Sequence, residues 1–265
     1  MRFFLIFLFL VTTMFAKAPR GLHEIIKSGY IEVGVYYQDI YPFFMKNKEG
    51  QLTGYDIDMA LEIGKELGVK VIFNREATTF SGLVNMVVEG TVDVAISELS
   101  ATLQRATNVM FSTPYVVLNH GIFFNRMSMA KLKNQHKNQW KEKLASSEII
   151  IATRRDTAYE TYVKNTFSHA QIVTFVEWEE VIDAVIRGEA DCAYYDEVEI
   201  KKLIQQQPNL ALKGKAIIVK DKADPIAMAV NQQNMHLLQW LNLYLAGKEK
   251  VTPDSLLEKY RKELP

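Results

Sequence analysis

Cysteine is nearly missing: Cys192 stands alone among 265 residues, so no internal disulfide can form. It sits in the largely apolar stretch Ala190 to Tyr195, which reads as core rather than as the setting of a nucleophile. An excess of either charge is also missing. The 31 Lys and Arg residues balance 31 Asp and Glu, so nothing points to nucleic acid or another polyanion as a partner. The five histidines, His23, His120, His136, His169 and His236, have no metal-ligand spacing, and no metal is expected. No G-x-S-x-G or phosphate-loop pattern occurs, and no cofactor is expected. Beyond the start of the chain, no apolar run is long enough to span a membrane.

The start is different. Residues 1–16 read MRFFLIFLFLVTTMFA, with Arg2 as the only charge ahead of an unbroken apolar run from Phe3 to Val11. The run is too short for a spanning helix but has the length of a signal-peptide core. The expectation is a cleavable export signal, cut after Ala16, with an uncleaved anchor as the alternative. No cysteine lies nearby to carry a lipid. Without Arg2 the remainder has 30 basic and 31 acidic side chains, a formal net charge of −1. The expected location is the periplasm, with the protein soluble and monomeric.

Strand-like and helix-like patterns then alternate. Strands are predicted at 31–35, 69–73, 92–96, 121–124, 149–152, 172–175, 192–195 and 226–230. Helices are predicted at 56–67, 81–88, 158–166, 179–187 and 198–206, with a late amphipathic one marked by Leu237, Leu238, Leu241 and Leu245. Gly68, Gly90 and Gly188 punctuate the pattern. Such alternation implies an α/β fold with mostly parallel sheets flanked by helices. The polar, lysine-rich stretch 127–147 has the composition of a crossover between two lobes, and 220–225 that of the return. The expected division is a discontinuous first lobe, 17–125 plus 224–265, and an inserted second lobe, 126–223. A single continuous sheet is the alternative.

One internal echo points toward a cleft. Gly90-Thr-Val-Asp93-Val-Ala leads into Ile96-Ser97-Glu98, and Gly188-Glu-Ala-Asp191-Cys-Ala leads into Tyr194-Tyr195-Asp196. In open α/β sheets ligands bind beyond the carboxyl ends of strands. Ser97, Glu98 and Ser100 on one lobe, and Asp196 on the other, are therefore candidates to face a shared space. Thr102 is placed to cap a short helix, which puts Arg105 one turn in. Beside hydroxyls and free helix N–H groups, Arg105 is either a carboxylate clamp or a surface ion pair.

These residues carry a resemblance. Gly34 with Tyr41-Pro42-Phe43, the run Gly50 to Met59, Gly90-x-x-Asp93, Ser97-x-x-Ser100-x-Thr102-x-x-Arg105, Phe111 to Tyr115, Asp156 to Thr161, and Gly188-x-x-Asp191 followed by Asp196-Glu197 resemble the amino-acid-binding proteins of ABC importers. That group is solute-binding protein family 3, with the two-lobed type II periplasmic binding protein fold and two crossover hinges. The resemblance implies that Arg105 pairs with the ligand's α-carboxylate, aided by Ser100 and the backbone near Ser97 and Glu98. It implies that Asp196 holds the α-ammonium, that Thr157 adds a carboxylate contact, and that Tyr41 and Phe80 flank the side chain. The implied partners are a small amino acid and an inner-membrane ABC permease; Phe80 and Tyr41, with the negative charge of Glu98 and Asp156, point to a polar or cationic amino acid.

The chain also departs from that pattern. Asp156 stands where the group usually has Gly, and Glu98 where it usually has a small residue. Glu98 faces either the cleft or the solvent beside it. The same fold serves periplasmic cyclohexadienyl dehydratases, which need a general acid. Glu199, three residues after Asp196, takes the position of that acid, or is an ordinary helix residue. The Asn that supports the acid in those enzymes is replaced by Tyr159. A non-enzymatic binding protein is the primary expectation, and a dehydratase the alternative.

Overall fold

The structure, a computed structural model, describes residues 18–140 and 142–263. The expected export signal at 1–16 lies outside the described residues. The strands are β1 (Tyr30–Gly34), β2 (Met45–Lys46), β3 (Leu52–Thr53), β4 (Lys70–Asn74), β5 (Val94–Ala95), β6 (Val109–Phe111), β7 (Val116–Asn125), β8 (Ile150–Arg154), β9 (Gln171–Phe175), β10 (Cys192–Asp196), β11 (Gly214–Ile226) and β12 (Ala229–Asn231). The helices are α1 (Leu22–Ser28), α2 (Tyr55–Leu67), α3 (Phe80–Val88), α4 (Leu103–Ala106), α5 (Arg126–His136), α6 (Ala158–Thr166), α7 (Trp178–Arg187), α8 (Glu197–Gln206), α9 (Leu210–Lys213), α10 (Met235–Ala246) and α11 (Pro253–Lys259).

Local chemistry sets these boundaries. In α2, Ile57, Ala60, Ile63 and Gly64 recur at helical spacing and are buried. Leu61, next to Ala60, is half exposed. Gly68 ends the helix at φ 69, a left-handed turn that glycine adopts without Cβ strain. Helix α7 opens with a reciprocal capping box between Glu177 and Glu180 and stops at Gly188.

The described residues form two five-stranded sheets, which sets aside the single continuous sheet. The first runs β4-β1-β5-β12-β6 and the second β11-β7-β10-β8-β9, with β2-β3 as a separate hairpin. β1 lies parallel to both β4 and β5, and β8 parallel to both β9 and β10. Each sheet has its own apolar core. Ile31, Val33, Phe43, Ile57 and Leu83 belong to the first, and Phe123, Ile151, Val181, Cys192 and Tyr194 to the second. Cys192 is buried, in keeping with its apolar surroundings.

The segment read from composition as a crossover is something else. Residues 126–136 form α5, whose Met129 and Leu132 pack into the second core, and Asn125 caps the helix by accepting from the N–H groups of Met127 and Ser128. Two buried apolar side chains outweigh the polar composition of the rest. The chain instead passes between the cores along β7, where Leu118 belongs to the first and Ile122 to the second. It returns along β11, antiparallel to β7, with Asp224 opposite Leu118. Stretch 220–225, expected as the return crossover, lies within this thirteen-residue strand, between Val219 against the second core and Ile226 in the first. Among the described residues, no helix is long and apolar enough to cross a membrane.

Candidate functional site

Both sheets turn strand ends toward one seam. From the first come Tyr36 after β1, Phe80 opening α3, and Glu98 and Ser100 after β5. From the second come Arg154 ending β8, Thr157 ahead of α6, and Asp196 ending β10. A narrow inner space lies between them, bounded by Phe80, Glu98, Ser100, Arg105, Leu118, Thr157, Ala158, Tyr159, Tyr195, Asp196, Asp224 and Ile226. A larger groove of about 630 Å³, open to solvent, continues outward between α4 and α6. The chemistry sits in the smaller space; Arg105 and Thr157 border both.

Arg105 is held from two directions. Thr102 caps α4 by accepting from the Arg105 N–H at 3.2 Å, which fixes the helix start. The guanidinium bends back so that one terminal nitrogen donates to the Ser100 carbonyl at 2.9 Å, and it lies 5.7 Å from the centre of the Phe80 ring. Burial pulls its proton affinity below the ordinary guanidinium value, while the nearby Asp224 acts in the opposite sense.

Glu98 is 8% exposed and its backbone is left-handed, φ 47. A side chain with Cβ enters that region only when its surroundings insist. Here the Glu98 N–H donates to Asp56 Oδ2 at 2.6 Å, and the Tyr115 hydroxyl oxygen lies 3.2 Å from the same nitrogen. Asp56, buried in the first turn of α2, thereby aims Glu98 into the seam. Burial raises the Asp56 pKa to about 7. The Glu98 carboxyl is pushed well above the carboxylate range, first by burial and then by Asp196, Glu199 and Asp56, with Lys202 working against the rise.

Asp196 accepts the Glu199 N–H at 2.8 Å through Oδ1, capping α8. Burial, then Glu199, raises its pKa. Gly121 allows this packing, because a Cβ there would stand 2.6 Å from the Ile200 side chain and 3.0 Å from the Asp196 carbonyl. The Thr157 hydroxyl donates to the Arg154 carbonyl at 2.9 Å.

Phe80, Glu98, Ser100, Arg105, Thr157 and Asp196 thus meet at one space. Tyr41 and Ser97 do not border it. The Tyr41 hydroxyl donates to the Leu257 carbonyl inside the first core, and Ser97 Oγ accepts the Tyr36 N–H at 2.9 Å. The aromatic beside Phe80 is Tyr36, stacked on it with ring centroids 4.8 Å apart. Tyr36 lies just beyond the carboxyl end of β1, and the strand-end rule could have found it. Asp224 had no such signal. Asp156 lies exposed on the outer groove at φ 60. Glu199 does not border the inner space. It lines a neighbouring pocket with Arg154 and Lys202, and Lys202 holds its Oε1.

Known proteins share the family and the fold. Residues 31–168 match the bacterial extracellular solute-binding proteins, family 3. The chain belongs to that family. A crystal structure of an ancestral amino-acid-binding protein, a precursor of cyclohexadienyl dehydratase, is 30% identical, with a TM-score of 0.69 over 92% of this chain and 99% of that one. A chain from Wolinella succinogenes DSM 1740, complexed with lysine, is 25% identical with a TM-score of 0.71, covering 89% of this chain and 95% of that one. The ABC transporter glutamine-binding protein GlnH of Bacillus subtilis (strain 168) is 24% identical over 226 residues, 84% of this chain and 78% of the relative. Cyclohexadienyl dehydratase of Pseudomonas aeruginosa is 23% identical over 189 residues, 71% of this chain and 67% of the enzyme.

Proposed function

We propose that this family member is the periplasmic binding component of an ABC importer, exported by a cleaved signal and active as a monomer. Its ligand is an amino acid with a polar or positively charged side chain. The carrying observation is that Arg105 from the first sheet and Asp196 from the second border a single space. A zwitterion needs both signs at fixed separation in a water-poor cleft. On this reading Arg105 takes the carboxylate and Asp196 the ammonium, with Phe80, backed by the stacked Tyr36, against the side chain. Glu98 has acidic neighbours and suits a ligand that brings a positive charge.

Neither lobe alone neutralises both ends of the ligand, so the ligand favours the closed arrangement and shifts the population toward it. We place the lobe boundary within β7 and β11, where the two cores change over, and these strands would act as the hinge. The binding reading is preferred to the dehydratase because the Glu199 carboxyl is tied to Lys202 outside the inner space. A thermal-shift screen of the purified protein against all amino acids and prephenate tests the proposal, since a ligand bound to the folded form alone raises its stability. Lysine, arginine or histidine should give the largest shift. Tightest binding of glutamate or aspartate, or turnover of prephenate, would sink it.

A further inference from the structure

Three carboxyl groups and one guanidinium border the inner space: Glu98, Asp196, Asp224 and Arg105. The head of an α-amino acid engages one group of each sign, Arg105 and Asp196 in the function proposed above. Glu98 is matched there to side-chain charge. Asp224 is left over, and it is fully buried, at 0% exposure.

Its oxygens are already engaged. Oδ2 accepts from Ser100 Oγ at 2.8 Å, and Oδ1 accepts from the Tyr162 hydroxyl at 3.0 Å. Two directed donors hold the carboxylate in place as a fixed charge. The same bond uses the single proton of the Ser100 hydroxyl, which is then turned away from a ligand carboxylate at Arg105. The Arg105 side of the site therefore offers one donor fewer to an anion, and a negative charge stands beside it. Burial raises the Asp224 pKa, but Ser100, Tyr162, Tyr159 and the Arg105 charge limit the rise to about 6, which leaves the group ionised at neutral pH.

We propose that Asp224 is a specificity-determining residue that reads the net charge of the ligand, weakening the hold on neutral zwitterions and favouring ligands that carry an additional positive charge. This rests on the amino-acid reading above. A charge acting through space responds to ligand charge and hardly to ligand shape, so a near-isosteric pair of opposite behaviour isolates it. Arginine and citrulline are such a pair. By calorimetry the wild type should bind arginine more tightly, and Asp224→Asn should narrow the arginine-to-citrulline affinity ratio by about tenfold.

Tyr162→Phe removes a hydrogen bond and keeps the charge, so it should leave that ratio within about twofold, even if both affinities fall. Asp224→Ser serves the same purpose should the Asn variant not fold. An unchanged ratio in the Asp224 variants, equal narrowing by Tyr162→Phe, or a wild type that prefers citrulline overturns this inference while leaving an amino-acid-binding protein in place. A wild type that binds no amino acid overturns the proposed function and this inference with it.

Discussion

Arg154 donates to the Tyr36 hydroxyl at 3.2 Å, joining the end of β8 in one sheet to a residue just beyond β1 in the other. The same guanidinium also donates to Gln38 Oε1, and Gln38 Nε2 donates to Glu177 at 3.0 Å. Tyr36 in turn stacks on Phe80, so the contact reaches the wall of the inner space. Arg154→Ala should loosen the closed arrangement. Expected are a larger scattering radius without ligand and about tenfold weaker binding, mainly through faster release. Equal radii for wild type and variant would contradict the idea.

Removal of Arg105 should be far more damaging than removal of an exposed arginine. Truncating one partner of a buried charge pair costs about 2–5 kcal/mol, and Arg105→Ala should weaken ligand binding by an amount in that range. Arg105→Lys keeps the charge but loses the planar fork, and should fall between wild type and Ala. Titration calorimetry with the best ligand from the screen decides. Binding within a few-fold of wild type in Arg105→Ala would remove Arg105 from the clamp.

Stability without ligand should fall as pH rises from acid to neutral. Asp56, Glu98 and Asp196 have raised folded-state pKa values, with burial as the leading cause. Between the ordinary value and the raised one, the folded form keeps a proton that the unfolded chain has lost. Unfolding then releases protons, so stability declines across the window. For Asp56 that window runs from 3.8 to about 7. The melting temperature should be higher near pH 5.5 than near pH 7.5, by about a few degrees, and Glu98→Gln should flatten the slope. A melting temperature that rises with pH would refute this assignment.

Asp156→Gly should be neutral to stabilising, by up to about 1 kcal/mol. Asp156 is exposed and holds φ 60, a conformation that costs any residue with a Cβ and suits glycine. The resemblance already marked this as a position where related chains carry glycine, and the backbone supplies the reason. Denaturant unfolding checks it. A loss above about 1 kcal/mol would show that the Asp156 side chain contributes something its exposure does not reveal.

Regular elements were legible where one helix or strand contains its own signal. Helix α6 is predicted and found at Ala158–Thr166, and Gly68 and Gly188 end helices as read. β7 was legible only from Gly121, although it begins at Val116, because its first half is ordered by β11 more than 90 residues later. β11 itself has six exposed residues of thirteen and is rich in lysine, as befits a sheet edge, and nothing local separates it from a loop. The same distance hid Asp224. Its neighbours Ser100 and Tyr162 are 124 and 62 residues away, and only the crossing of the two chains makes it part of the site. Tyr41 misled in the opposite direction: an aromatic beside the expected motif proved to be core, and Tyr36 a few residues earlier holds the place beside Phe80.

The order of strands has a consequence for how the molecule assembles. β12 lies inside the first sheet, between β5 and β6, whereas β11 lies at an edge of the second. A chain emerging from its amino end has the parallel trio β4-β1-β5 early, but β6 has no partner until residues 229–231 arrive. The first sheet therefore remains split through the emergence of all of the second. Loss of the chain beyond β11 would leave the second sheet its five strands while dividing the first, so a prematurely ended product would retain one half of a cleft and expose apolar surface where the other half should be.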